Sequence, residues 1–316
     1  MKKLSIVVLT LLLSSICLTA QKQTQAEINA SKTINMTNTV VDLYNNYLSN
    51  IKKVREGLQR AEENIEILKE NINRSAHGWN CTNMILHDDM VISFEKACTV
   101  APAFAEKAKI QAEIKYAKAN GERLSNHCKA LNDYFNKKEY KEDEGFAKFQ
   151  PLYDSLYNVY KDVSKSWLNA VNLASEAGNK SELVLLKKSP VAEFIIPMKT
   201  DLSAVSKLID MFTEEEADFN AIQKDIEALK ISVAKNKSLT GKNVANLEKY
   251  SNKLNYEGYY QSMDEAIEIA AKIEELMNPD KVKDGMNEQR VQDEIENKFS
   301  MLNWKYKSLV ESYNMM

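Results

Sequence analysis

The chain has 316 residues, a formal net charge of −3, and only 8 glycines and 5 prolines. Acidic and basic residues are interleaved and no basic stripe appears, which excludes nucleic acid as an expected partner. Turn formers are scarce while Asn, Lys, Glu, Ala and Leu abound, a composition that favours helices and starves β-turns.

Residues 1–20 read as a targeting segment. Lys2 and Lys3 make a basic start, residues 6–13 an apolar core too short to span a bilayer, and Leu18-Thr19-Ala20 a small-residue cleavage site before Gln21. The expected product begins after Ala20. The alternative is a lipoprotein signal with Cys17 lipidated; Ile16 stands before it, where the lipoprotein peptidase takes a small residue. No later run is long and apolar enough for a transmembrane helix. The expected location is therefore outside the cytoplasm, with a membrane as partner only through a lipid on Cys17. Residues 21–316 are expected to form one helical-bundle domain, divisible into sub-lobes 21–178 and 179–316.

The clearest pattern lies near the start of that domain. Val40, Tyr44, Tyr47, Ile51, Val54, Leu58, Ala61, Ile65, Leu68 and Ile72 alternate at gaps of four and three, with polar residues between them. That is a heptad seam, and it predicts a helix over 26–74, with Gly57 inside it and His77-Gly78-Trp79 breaking it. A helix is predicted over 82–97, a stop and restart at 99–102, and a helix over 103–136 that Gly121 bends. Residues 151–177 repeat their apolar positions at threes and fours, and Gly178-Asn179 reads as the helix end.

Residues 180–200 are the least helical. Pro190 and Pro197 bracket Val191, Phe194, Ile195 and Ile196 in what reads as an apolar loop, a broken helix or a short strand. Asp201 is expected to cap the next helix, and Thr213 with Glu216 to form a capping box for the one after. Residues 239–254 are mixed, and 262–277 turn helical again until Asn278-Pro279. The last helix covers 288–313. In it Ile295, Leu302, Leu309 and Met316 are seven apart, as are Phe299, Tyr306 and Tyr313. This second seam is the expected partner of the first. The fold predicted is all-α, an elongated bundle of long antiparallel helices with coiled-coil-like packing.

The histidines and the cysteines beyond residue 20 fall together: His77, Cys81, His87, Cys98, His127 and Cys128. One reading is a zinc or copper site. The spacing lacks C-x-x-C and H-x-x-x-H, and in an exported protein paired thiols oxidise, so the favoured reading is one disulfide with scattered histidines. If 82–97 and 103–136 form a hairpin turning near Ala101, Cys81 lies 20 residues before the turn and Cys128 27 after it. That offset is about 10 Å, whereas Cys98 at the turn lies about 40 Å from Cys128. Cys81–Cys128 is the expected bridge, with Cys98 unpaired. His87-Asp88-Asp89 does not make a hydrolytic site, because adjacent helical residues diverge. Nucleophile-elbow, P-loop, H-E-x-x-H and dinucleotide-glycine motifs are absent.

The most unusual composition is an aromatic and acidic corner. It holds Tyr134, Phe135, Tyr140, Asp143 and Phe146, with Tyr153 beyond it. Tyr134, Tyr140, Asp143 and Tyr153 are candidate ligand-binding residues, aromatics for contact and a carboxylate for cations or sugars. The structural alternative is a helix-to-helix corner anchored by its rings.

The run Tyr134-Phe135-Asn136-Lys137-Lys138-Glu139-Tyr140-Lys141-Glu142-Asp143, then Phe146-Ala147-Lys148, resembles a signature of the YiiG-like family, exported or lipid-anchored bacterial helical proteins. Asn38 to Tyr47, with Tyr44-Asn45-Asn46-Tyr47, is similar to that family's opening helix, and Tyr259-Tyr260 is a weaker echo. Where the family continues Gly-Lys and Leu-His, this chain reads Phe149-Gln150-Pro151-Leu152-Tyr153, so Tyr153 stands for the histidine. The resemblance implies an envelope location, in the periplasm or at the outer membrane, and an all-helical fold, and it carries no reaction. The expected function is a non-enzymatic binding or structural module without a cofactor, meeting an envelope protein or small ligand at the 134–153 corner or the apolar 190–197 segment. The alternative is a metal- or redox-responsive protein using the 77–128 cluster, and a hydrolase without a recognisable motif ranks last.

Overall fold

A computed structural model describes residues 23–78, 88–213, 217–237, 247–249, 253–278, 281 and 288–315. The protein is all-α, and the described residues contain no strand. They divide into two compact units, 22–184 and 185–316, a border six residues beyond the sub-lobe division expected at Gly178. Each unit has its own apolar core.

In the first unit, α1 spans Gln25–Glu70. It begins in a reciprocal cap: the Thr24 backbone N–H donates to Glu27 Oε2 at 2.6 Å, while Thr24 Oγ1 accepts from the Glu27 N–H. At about 1.5 Å per residue its 46 residues run about 70 Å. The seam from Val40 to Leu68 is buried throughout. Ile72 is not part of it: the helix ends at Glu70, and Ile72 stands in the following turn, 39% exposed.

Helix α2 spans Asp88–Val100 and α3 spans Lys107–Asn136. The beginning of the helix expected over 82–97 lies outside the described residues. Helix α4, Phe149–Leu186, runs straight through Gly178. A glycine stops a helix only when it turns left-handed. Here Ala174, Ala177 and Gly178 are buried, and the helix continues to Leu186, which joins the second core. Tyr47 stacks on Trp167 with centroids 5.0 Å apart, and Glu62 meets Tyr153, so α1 and α4 are antiparallel. Ser166 donates to the Glu113 carbonyl at 3.0 Å and Lys180 pairs with Glu106 at 2.8 Å, so α3 and α4 are antiparallel too.

In the second unit, α5 spans Ala192–Thr213, α6 Phe219–Lys237, α7 Lys253–Met277 and α8 Glu288–Asn314. The 190–197 segment is not a strand: it opens in a turn and is helical from Ala192, with Pro197 inside α5 and Val191, Phe194 and Ile195 buried in the core. Thr213 does not cap the next helix. It closes α5 by donating to the Asp210 carbonyl at 2.7 Å, and Asp218 caps α6 by accepting from the Ala221 N–H at 3.0 Å. Glu216 lies outside the described residues. Helix α7 begins nine residues before the expected start, because Tyr256, Tyr259 and Tyr260 bury their rings while their hydroxyls find partners.

Lys207–Asp225 together with Asp201–Asn236 makes α5 and α6 antiparallel, Lys237–Asp264 joins α6 to α7, and Lys305–Glu265 joins α7 to α8. Helix α8 returns to α5, where Lys199 lies 5.4 Å from the Tyr313 ring. The second unit is thus a ring of four helices, α5 to α6 to α7 to α8 and back to α5. Leu302, Tyr306 and Leu309 of the second seam pack into this unit's core between α5 and α7, while Met316 lies outside the described residues. The two seams were expected to cover each other. Instead each finds its apolar partners inside its own unit.

Candidate functional site

The 134–153 corner is built from two short 3₁₀ turns, Glu139–Lys141 and Glu144–Phe146. Three residues there have left-handed backbones: Lys138 (φ 58°), Gly145 (φ 67°) and Phe146 (φ 60°). Only the glycine adopts that conformation freely. Phe146 packs against the first core, and Lys138 is exposed. Tyr134 meets Phe135 at 5.2 Å, Tyr140 at 6.4 Å and Phe149 at 6.2 Å between centroids, and Phe149 meets Tyr153 at 5.7 Å. The Tyr134 hydroxyl donates to Asp143 Oδ2 at 2.9 Å, and the Lys148 N–H donates to the same carboxylate at 3.0 Å. Burial, then the Asp143 carboxylate, push the Tyr134 hydroxyl well above its usual range.

Three of the four candidate ligand residues are therefore interior. Tyr134 and Tyr140 are 1% exposed, and Asp143 is buried against its two donors. Tyr153 is half-buried and donates to Glu62 on α1. The rings and the carboxylate face one another, which corrects the ligand-patch reading. The corner is a packed joint between α3 and α4.

Among the described residues of the 77–128 set, none come together as a cluster. His77 is exposed beyond the end of α1, and His127 is half-buried on α3. Cys98 is a buried free thiol beside Gln111 and Lys107, and burial raises its pKa. Cys128 is also buried and is not a free thiol. Gln111 and Cys128 lie 17 residues apart on the same helix, about 25 Å at about 1.5 Å per residue, so Cys98 and Cys128 do not ligate one ion. Among the described residues no group of three His, Cys, Asp or Glu side chains is placed to hold a metal. Cys81 and His87 lie outside the described residues.

Sequence reasoning missed a buried carboxylate. Asp201 caps nothing. It lies in the middle of α5, 1% exposed, and accepts from Ser232 Oγ at 2.5 Å, Asn236 Nδ2 at 2.8 Å and the Tyr260 hydroxyl at 3.2 Å. Tyr256 donates to the Asn236 carbonyl at 2.8 Å, and burial pushes its hydroxyl up to about 12. Tyr259 donates to the Met198 carbonyl at 2.7 Å. The spacing held a signal: Phe194, Met198, Asp201, Val205, Leu208 and Phe212 alternate at four and three, so Asp201 occupies a seam position. Its oxygens are filled by α6 and α7 and closed to solvent, so the network ties three helices together.

One concavity opens to solvent between α7 and α8, with a volume of about 420 Å³. Glu265, Glu268, Ile269 and Lys272 line one side, and Lys298, Met301, Trp304 and Lys305 the other. Trp304 is 64% exposed and Met301 42%. Lys305 spans the groove, pairing with Glu265 at 2.5 Å while its ammonium lies 5.0 Å from the Trp304 ring centroid. Lys272 pairs with Glu275 at 3.0 Å. Met301 and Trp304 fall off the α8 seam, and an apolar side chain on the polar face of an amphipathic helix was the available signal. The arrangement offers an exposed apolar surface rimmed by donors and acceptors.

None of the described helices is long and apolar enough to cross a membrane. No family model matches this sequence, and no curated protein does. Solved structures do match it. An alpha helical protein from Bacteroides fragilis is 15% identical with a TM-score of 0.58, over 91% of this chain and 100% of that one. An uncharacterized DUF3829-like protein from Bacteroides thetaiotaomicron is 15% identical with a TM-score of 0.51, over 92% of this chain and 100% of that one. At that identity the likeness establishes the fold: both α-helical units of this chain belong to an architecture already seen in these bacterial proteins.

Proposed function

We propose that this protein is a non-enzymatic binding or structural module of the cell envelope, exported by residues 1–20, and that it meets a small ligand in the α7–α8 groove. The observation that carries the reading is Trp304, an indole 64% exposed at the edge of a 420 Å³ concavity. A tryptophan holds a large apolar surface that a fold ordinarily covers. The other rings and carboxylates that drew attention, around Tyr134 and Asp201, are turned inward and bonded to one another. The likeness of residues 134–148 to the YiiG-like family belongs to the same proposal, as does a Cys81–Cys128 bridge. Cys98 being free and Cys128 not free supports that bridge.

The test is a fragment screen on the protein from residue 21 onward, read by the NMR signals of the Trp304 indole N–H and the Met301 methyl group. Hits that shift these signals saturably support the reading. Hits confined to Tyr153 and Tyr157, or to none of these residues, overturn it.

A further inference from the structure

We infer that the α7–α8 groove takes a neutral glycan of one or two rings, an inference that rests on the groove being a binding site. Length comes first. From Glu265 to Lys272 the wall is two helical turns, about 10 Å. A protein partner needs about 800 Å² on each side, some twenty residues or more, and the groove offers far less. Its volume of about 420 Å³ falls at the low end of the range of roughly 300–1,000 Å³ for small-molecule sites.

Charge decides the next question. Glu265 is matched by Lys305, and Lys272 by Glu275. Glu268 on α7 and Lys298 on α8 remain, one charge of each sign, and neither enters an ion pair among the described residues. A polyanion would meet Glu268 and a polycation Lys298, and neither would find an excess of the opposite sign. The groove suits a ligand that is neutral overall and carries donors for a carboxylate and acceptors for an ammonium. Hydroxyl groups are both at once, and hydrogen bonds to charged partners are about twice as strong as neutral ones.

Shape narrows it further. Trp304 and Met301 are open to solvent, and Ile269 lies against the floor. An alkyl chain would be covered on one side only, whereas small-molecule sites cover most of an apolar ligand. A pyranose ring has what is wanted: one face of C–H bonds to lie on an indole, and a rim of hydroxyls to reach Glu268 and Lys298. Lys305 prepares the surface. Its ammonium, tied to Glu265, sits over the Trp304 ring and limits the indole's rotation before any ligand arrives.

The experiment titrates the full chain from residue 21 with cellobiose, maltose and N,N′-diacetylchitobiose. It is read by calorimetry and by the Trp304 indole N–H signal. Tetraglutamate, tetralysine and octyl glucoside serve as comparison probes. At least one neutral disaccharide binds saturably and shifts Trp304. Trp304→Ala weakens it about tenfold or more, as truncation of a central aromatic does. Glu268→Gln weakens it severalfold, and Ile231→Ala, an exposed control on α6, leaves it unchanged. Saturable binding of a charged peptide or of octyl glucoside, with no response to the disaccharides, overturns the glycan and leaves the groove a binding site. Disaccharide binding that survives Trp304→Ala overturns the assignment to this groove. If no probe or fragment shifts Trp304, both readings fall.

Discussion

The Tyr260 hydroxyl on α7 donates to Asp201 Oδ2 on α5 at 3.2 Å, inside a core with no solvent to replace it. Ser232 and Asn236 supply the other donors. Asp201→Ala therefore strands the buried Tyr260 hydroxyl and two half-buried donors, Ser232 and Asn236, and we expect it to cost about 3 kcal/mol. Asp201→Asn keeps the volume and one acceptor and should cost about half as much. Tyr260→Phe removes one bond and should cost about 1 kcal/mol. Denaturant midpoints of the second unit check the ranking. Equal costs for the Ala and Asn variants would mean that the network is not what holds α5 to α6 and α7.

At the 134–153 corner, Tyr134→Phe removes the hydroxyl from Asp143 but leaves the Lys148 N–H bond in place. We expect a loss of about 1–2 kcal/mol in chemical unfolding. Lys138→Gly relieves a left-handed backbone and should be neutral or stabilising by up to about 1 kcal/mol. A destabilising Lys138→Gly would show that the Lys138 side chain matters more than its backbone.

Glu106 and Lys180 give a pH dependence. The Lys180 ammonium bonded to the buried Glu106 carboxylate lowers its pKa below the usual value. A carboxylate lowered in the folded state stabilises that state above its unfolded pKa, and the contribution disappears as pH falls through the folded value. The stability difference between the natural chain and Glu106→Gln should be constant above about pH 5.5 and shrink toward pH 2. A difference that grows on acidification would reverse the assignment.

Cys98 is a buried thiol with a raised pKa, so it should resist alkylation in the native protein at neutral pH. For the chain from residue 21, one thiol should react in denaturant before reduction and three after it. Three before reduction would remove the proposed Cys81–Cys128 bridge. Cleaving that bridge should cost about 4 kcal/mol.

The sequence read most clearly where one physical signal acted alone. The α1 seam is apolar at every inward position from Val40 to Leu68, and all of it is buried. Reading failed where two signals competed. Gly178 is a stop signal by type, but the buried row around it runs on to Leu186. Thr213 and Glu216 have capping-box spacing, yet Asp218 lies nearer the start of α6. Asp201 is a cap former by residue type, although its spacing places it on the seam. Periodicity states which face of a helix is dry and says nothing of which dry face it meets, so the partners of α1 and α8 were misassigned. The groove escaped notice because Trp304 and Met301 interrupt a polar face without a period of their own.

Two self-contained cores mean that the protein carries two stabilities. Unfolding is then not described by a single equilibrium constant, and one melting temperature would average unlike events. Amide exchange should sort into two slow families, one from residues 22–184 and one from 185–316, each collapsing at its own denaturant concentration.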